Sequence, residues 1–214
     1  MDVQVLQDHR PRRHGAKASW ARVVREMILD AAQALVENGD ASALTPSALA
    51  EAVHMRPSSV QRHFETLDLV HDGLTERALA ELGELVTSMV GERIGREALQ
   101  AVVDCHRLYA QARPGMYAAS QQPFAVSTSK GDQVRAAYAE AERRALRGYG
   151  LTPTQEVNVQ WLLRATIRGA IADETCGLPL GPRERDEAFD SLVSLLDAGA
   201  RSAGARIVPL RKSA

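Results

Sequence analysis

The sequence predicts an all-α fold, and three observations carry that expectation. Apolar residues recur three and four positions apart through most of the chain, the period-2 alternation of strands is almost absent, and capping residues stand where periodic stretches begin or end. The 214 residues admit one large domain or two small ones, and 45% hydrophobic with 25% charged residues excludes wholesale disorder and collagen-like sequence. No repeat marks a solenoid. No apolar run reaches the roughly 18 residues that a membrane span needs. The opening MDVQVLQDHRPRRHG has no apolar core and is not expected to be a secretory signal. Cys105 and Cys176 stand alone without CxxC spacing, which argues against a disulfide scaffold or a zinc site and for a reducing, cytoplasmic setting.

Residues 1–19 are polar and basic and are expected to be mobile. Val23/Val24, Met27/Ile28, Ala31/Ala32 and Leu35/Val36 then recur four apart with charged residues between them, forming one helical stripe that Asn38-Gly39 stops. In LTPSALAEAVHMRPSSVQRHF, residues 44–64, Thr45 is a cap, Pro46 opens a helix, and Leu44 can staple onto Leu49. That helix is short, because His54-Met55-Arg56 runs into Pro57 and the residue before a proline avoids helical geometry. Pro57 opens a second short helix by the same grammar, with Met55 placed to staple onto Val60. Leu67, Val70, Leu74, Ala78, Leu82, Leu85 and Met89 carry a longer helix that ends near Gly91. Further helices are expected over about 95–112, 132–149, 153–176 and 183–203. Residues 113–131 read as a loop holding a short helical piece, a candidate lid or a plain surface loop. GLPLGPR at 177–183 breaks the chain before the last helix.

The two short helices and their tight turn, packed by Ala50, Met55 and Val60, form a helix-turn-helix whose second helix can enter the DNA major groove. That helix offers Ser58, Ser59, Gln61, Arg62 and His63, all able to hydrogen-bond and none acidic. Gln suits the adenine edge and Arg the guanine edge, while the serines, with Thr45 and Ser47 of the preceding helix, suit phosphates. Arg56 joins these candidate contacts. Arg10, Arg12, Arg13, Lys17, Arg22 and Arg25 form a basic stretch without an acid, and such an arm can lie along phosphates or in the minor groove. Arg12, Arg13 and Lys17 are its candidate contacts. The plainer alternative is a solvated polar helix in an ordinary bundle, preceded by a solubilising tail.

From Arg22 to Val70 the sequence resembles the N-terminal domain of TetR-type transcriptional regulators. The likeness rests on the Ala31-Ala32 pair, Gly39, Thr45, Leu49-Ala50, Pro57 and the closing Phe64. LRATIRGAIADETCGLPL and DEAFDSLVSLLDAGA are similar to the last two helices of that family's ligand-binding domain. The resemblance implies a three-helix DNA-binding domain over residues 1–66 and a helical ligand-binding and dimerisation domain over 67–214. It implies a homodimer formed through the helices around 153–176 and 183–203. It also implies a repressor, with no cofactor, that a small-molecule ligand releases from a palindromic double-stranded DNA operator, the helix after Leu67 linking head to pocket. The sequence departs from the family pattern where His54 replaces a turn glycine, Arg56 a serine cap, Gln61 and His63 an aromatic pair, and Leu67 a phosphate-contacting lysine. These departures predict an unusual operator, or weaker binding that leans on the arm.

In the second half, Thr152-Pro153-Thr154-Gln155 is a capping box with proline at the first helical position. The helix it opens is apolar on nearly every face (Val157, Val159, Trp161, Leu162, Leu163, Ala165, Ile167, Ala170, Ile171) and needs cover on more than one side. With Phe189, Leu192, Val193, Leu196 and Ala200 beyond it, one stripe can close the core and another a two-fold interface. Met89, Cys105, His106, Tyr109, Met116, Tyr117, Phe124, Tyr138 and Trp161 are the expected lining of a ligand cavity, with His106, Tyr109, Tyr138, Arg164 and Arg168 as polar contacts. A plain core is the alternative. No GxSxG, Walker loop, GxGxxG or HExxH occurs, adjacent Cys105 and His106 make a poor nucleophile–base pair, and the histidines show no ligand spacing. Neither a catalytic nor a metal site is expected. A helical scaffold that has lost DNA binding, or a small enzyme using His106 and Tyr109, are the rival readings.

The chain carries 26 Lys+Arg against 27 Asp+Glu, a net charge of -1. Placement matters more than the total, because residues 10–25 and 56–63 contain no acid. The balance excludes a nonspecific DNA packager and leaves room for a protein that touches DNA through one locally basic surface.

Overall fold

The structure is a computed structural model that describes residues 13–39, 43–177 and 180–205, with side chains described from Ser19 onward. Among the described residues there are nine helices and no strand. They are α1 (Arg13–Asn38), α2 (Pro46–Ala52), α3 (Pro57–Gln61), α4 (Leu67–Val90), α5 (Arg96–Ala112), α6 (Pro114–Ser120), α7 (Ser129–Ala145), α8 (Pro153–Thr175) and α9 (Pro182–Ala205). None of the described helices is long and apolar enough to cross a membrane. The chain divides into two compact units, Met1–Val70 and His71–Ala214. The division falls a turn inside α4 rather than at its start, because Leu67 and Val70 border one crevice with Leu49, Val60 and Phe64 of the first unit.

In the first unit α1 begins at Arg13, so residues 13–19, expected to be mobile, belong to a helix. The stretch holds two alanines, an arginine and a lysine, all strong helix formers, and no proline, so the helix extends beyond its apolar stripe. That stripe is narrower than the paired pattern predicts. Val24, Ile28, Ala32 and Val36 are buried, while Val23 and Met27 are exposed, since neighbours on a helix diverge by about 100°. Thr45 caps α2, its Oγ1 accepting from the Ala48 N–H at 3.1 Å. His54, where the resemblance implies a turn glycine, sits at φ 51°, the left-handed region, and is the one non-glycine residue there among the described residues. That turn lets the Met55 N–H donate to the Ala50 carbonyl at 2.9 Å, closing the end of α2. Arg56 precedes α3 with no side-chain cap bond.

The second unit is built around α5. Leu99, Val102, Val103, Cys105, His106 and Tyr109 point in several directions and all are buried, with α6, α7, α8 and α9 packed around them. In this chain α5, not α8, is the helix covered on more than one side. Within this chain α8 buries one face, through Gln160, Leu163, Ile167 and Ile171, while Val157, Trp161 and Leu162 stay exposed. Arg107 ties the bundle together. It holds Glu174 of α8 at 2.6 Å and Asp186 of α9 at 2.7 Å, and its guanidinium lies over the Phe189 ring at 4.4 Å. Residues 113–131 contain α6, and Asp72 pins the loop after it by accepting from the Ala125 and Val126 N–H groups at 2.8 and 3.0 Å. α7 starts at Ser129, earlier than periodicity predicts, because Thr128 caps it through the Gly131 N–H.

The end of α9 approaches the chain before α8 so closely that a Cβ on Gly204 would lie 1.9 Å from the Tyr149 carbonyl oxygen. Replacing Gly204 by alanine is therefore expected to cost about 1–3 kcal/mol in urea unfolding. An unchanged midpoint and slope would refute that packing.

Candidate functional site

In the first unit α3 turns Ser58 and Gln61 to solvent, as does Arg62 at its C-terminal end, with Arg56 ahead of them, while Val60 enters the core and Ser59 and His63 are half-buried. Thr45 and Ser47 are exposed at the start of α2. Arg62 folds back to donate to Ser59 Oγ at 3.2 Å, which orients its guanidinium along the helix. Ser58, Gln61 and Arg62, three and four positions apart, thus share one exposed side, while exposed Glu65 borders the same crevice as Gln61. Arg12 lies outside the described residues. Arg13 and Lys17 are in α1, but their side chains lie outside the description.

Arg25 plays a part that sequence reading missed. Instead of extending the basic arm, its guanidinium sits over the Phe64 ring at 4.1 Å and donates to the His63 carbonyl. It clamps the chain just after α3 onto α1. No local pattern announces this contact, because 38 residues separate its ends.

In the second unit the predicted ligand residues fall into three places. His106, Tyr109, Tyr117 and Tyr138 form a buried aromatic chain, with ring centroids 6.0 Å apart for His106–Tyr117, 6.3 Å for His106–Tyr138 and 6.5 Å for Tyr109–Tyr117. Cys105 and Met116 are fully buried, and burial, helped by Asp104, pushes the Cys105 thiol up to about 12, leaving it unreactive. Phe124 and Arg164 border an open groove of ≈ 600 Å³ beside Tyr138. Met89 and Trp161 depart from the expected lining. Val86 and Val90 take the buried face of α4, so Met89 borders a separate polar groove with Arg93, Arg96 and Asp104. Trp161 is 67% exposed, because the residues that bury α8 leave it on the flank. The single cavity expected from the sequence is thus a packed core with a groove beside it.

Between core and groove lies Glu142, a residue that the sequence reading passed over. Its side chain is fully buried. Tyr138 Oη donates to its Oε1 at 2.6 Å, while Arg164 Nε at 2.6 Å and Gln160 Nε2 at 3.1 Å donate to its Oε2. Tyr138 Oη also stands 3.1 Å from His106 Nε2. Because the tyrosine proton goes to Glu142, the tyrosine oxygen accepts from His106, which places the imidazole proton on Nε2 and leaves Nδ1 a bare acceptor. His106 Nδ1 and Tyr117 Oη are buried without a hydrogen-bond partner. Burial first, then the charges of Arg164 and Arg168, lower the His106 pKa to about 4, so the ring is neutral at pH 7. Burial and Glu142 together hold the Tyr138 hydroxyl well above the ordinary tyrosine range.

No protein-family model matches the chain. An uncharacterized HTH-type transcriptional regulator of Bacillus subtilis (strain 168) is 26% identical over 98 residues, which make up 46% of this chain and 51% of that relative. The match thus spans about half of the relative's length. Among solved structures, a protein of unknown function from Rhodococcus sp. RHA1 has a TM-score of 0.65 at 19% identity, covering 89% of this chain and 98% of its own. A possible TetR family transcriptional regulator from Streptomyces coelicolor A3(2) has a TM-score of 0.65 at 15% identity, covering 83% and 98%. A TetR variant from Acinetobacter baumannii AYE, solved in complex with minocycline, has a TM-score of 0.61 at 21% identity, covering 80% and 93%. At these identities the likeness is one of fold.

His106 is protonated more easily in the unfolded chain than in the core, so the folded state loses stability as pH falls from 6.5 towards 4. Over that window the histidine is expected to contribute a loss of about 3 kcal/mol. Chemical denaturation at a series of pH values should show a shallower dependence for His106→Asn than for the wild-type protein. Parallel curves would remove His106 as the cause.

Proposed function

We propose that this chain, which has the TetR-type fold, is a homodimeric transcriptional regulator whose first unit binds a palindromic operator and whose second unit responds to a small molecule. One observation carries the DNA-binding part. Ser58 and Gln61 of α3 and Arg62 at its C-terminal end are exposed together, with no acid from residue 56 to 63, while the opposite face is anchored by Val60. A well-placed bidentate contact from Gln or Arg discriminates bases by about 1–3 kcal/mol, and phosphate contacts from Thr45, Ser47 and the serines set the register.

Support for the dimer comes from the outer faces of α8 and α9. Val157, Trp161, Leu162 and Leu195 are exposed at 64%, 67%, 51% and 75%. Gly169 and Gly199 lie within the same two helices, and a Cβ added to either meets no atom within 4 Å. A glycine inside a helix costs about 1 kcal/mol relative to alanine, a cost with a purpose where a second helix must approach closely. A two-fold pairing of these faces would cover the apolar residues and present two recognition helices a DNA turn apart. In this reading a ligand acts by differential binding. It favours the dimer state whose heads do not fit the operator, with α4, which begins in one unit and continues through the other, as the connection.

The Gln61→Ala/Arg62→Ala double variant is expected to bind DNA from upstream of its own gene at least tenfold more weakly in a gel shift. Equal binding would exclude direct readout by α3. In sedimentation the wild-type protein should behave as a dimer and Trp161→Glu as a monomer. A monomeric wild type, or a variant that stays dimeric, would exclude this interface.

A further inference from the structure

We infer that the open groove beside Tyr138 binds a small organic monoanion, a carboxylate on an aromatic or aliphatic body, with Arg168 receiving its charge. The inference names a ligand class for the regulator proposed above and rests on that reading only for the consequence of binding.

Three guanidinium groups border the groove, those of Arg135, Arg164 and Arg168, and no carboxylate does. Two of the three are already matched. Arg135 pairs with Asp132 at 2.9 Å and covers the Phe124 ring at 4.5 Å, and Arg164 pairs with buried Glu142 at 2.5 Å. Arg168 is exposed, and its partner among the described residues is a neutral amide, Nε donating to Gln121 Oε1 at 2.8 Å. The two terminal nitrogens of that guanidinium remain to meet a planar anion, the arrangement that favours bidentate carboxylate binding.

Charge sets the class further. A cationic ligand would meet three arginines and no acid, and a neutral one would desolvate Arg168 without compensation. One unmatched arginine balances one negative charge, not two. Leu79, Pro123 and Phe124 supply the apolar wall for the rest of the molecule, and ≈ 600 Å³ is within the usual range for small-molecule sites. The same positive field is felt inside the core, where Arg164 and Arg168 both disfavour protonation of His106.

The test is calorimetric titration of the full-length protein, without DNA, by 4-phenylbutyrate and decanoate and by the primary amide and amine of each. The carboxylates should bind about tenfold or more tightly than their amides, and the amines should not bind. Arg168→Gln should abolish the preference for the carboxylate, Arg168→Lys should keep part of it, and Gln121→Ala, which frees the guanidinium, should keep it whole. Far-UV circular dichroism and thermal melts establish that each variant is folded. Equal affinity for amide and carboxylate, no carboxylate binding at millimolar concentration, or a preference that survives Arg168→Gln overturns the inference. Operator release is scored separately. Carboxylate binding without release overturns the effector role and leaves the site standing, whereas release by an amine or amide alone overturns the site and leaves the effector role.

Discussion

The buried carboxylate of Glu142 is the constraint around which the second unit is arranged. An ion with no exposed surface costs several kcal/mol unless its oxygens are met by donors and its charge by an opposite charge. Here Tyr138, one helical turn earlier on α7, serves one oxygen, and Gln160 and Arg164 of α8 serve the other. Gln160 also donates to the Ala139 carbonyl at 2.6 Å, so the same side chain binds backbone and carboxylate of the neighbouring helix. Sliding α8 by one turn, about 5.4 Å, would leave an unpaired charge in the core. Apolar packing alone tolerates such slippage far better. The register of α7 against α8 is thus set by directional contacts, and α5 joins them through His106 and the Tyr138 hydroxyl.

The first unit depends on a different kind of contact. It has a small apolar core, to which α3 contributes Val60, with Phe64 following shortly after. A five-residue helix cannot hold itself together by backbone bonds, since nucleation is unfavourable and there is almost nothing to propagate. Its position comes from its neighbours, the left-handed turn at His54 on one side and the Arg25 clamp on the other. Arg25 is an exposed cation that stabilises the head by stacking on Phe64 and serving the His63 carbonyl, so one residue of the basic stretch holds the fold.

What was legible in the sequence follows from how local each cause is. Thr45 with Pro46 and Thr152 with Gln155 act within one turn, and their helices start where those residues stand. The turn at His54 was legible only through the resemblance, in which a glycine holds that place, and His54 takes the positive φ that a glycine would. The direction in which a helix faces is not local. Trp161 and Met89 belong to apolar periodic stretches, yet neighbours outside those stretches decide which flank is covered. Glu142 was hidden most completely, since an acid in AYAEAERRA reads as part of a solvated face. Besides Tyr138 within that stretch, Gln160 and Arg164, about twenty residues onward, supply the donors and the opposite charge that make its burial tolerable. Conversely, the charged Asp104 and Arg107 disguise α5, the most enclosed helix, as an ordinary amphipathic one.

The same electrostatics link the groove to the core. Arg164 is at once the counter-ion of Glu142 and a wall of the groove, its guanidinium 5.1 Å from the centre of the Tyr138 ring. With Arg168 it helps keep His106 neutral. A negative charge seated at Arg168 would cancel part of that field and raise the proton affinity of His106. The bare Nδ1 is the atom that would take the proton, and Tyr117, whose hydroxyl oxygen also lacks a partner, is its edge-on aromatic neighbour. Occupancy of the groove would thus reach three helices without any ligand entering the core, because α5, α7 and α8 already share one hydrogen-bonded chain from His106 to Arg164.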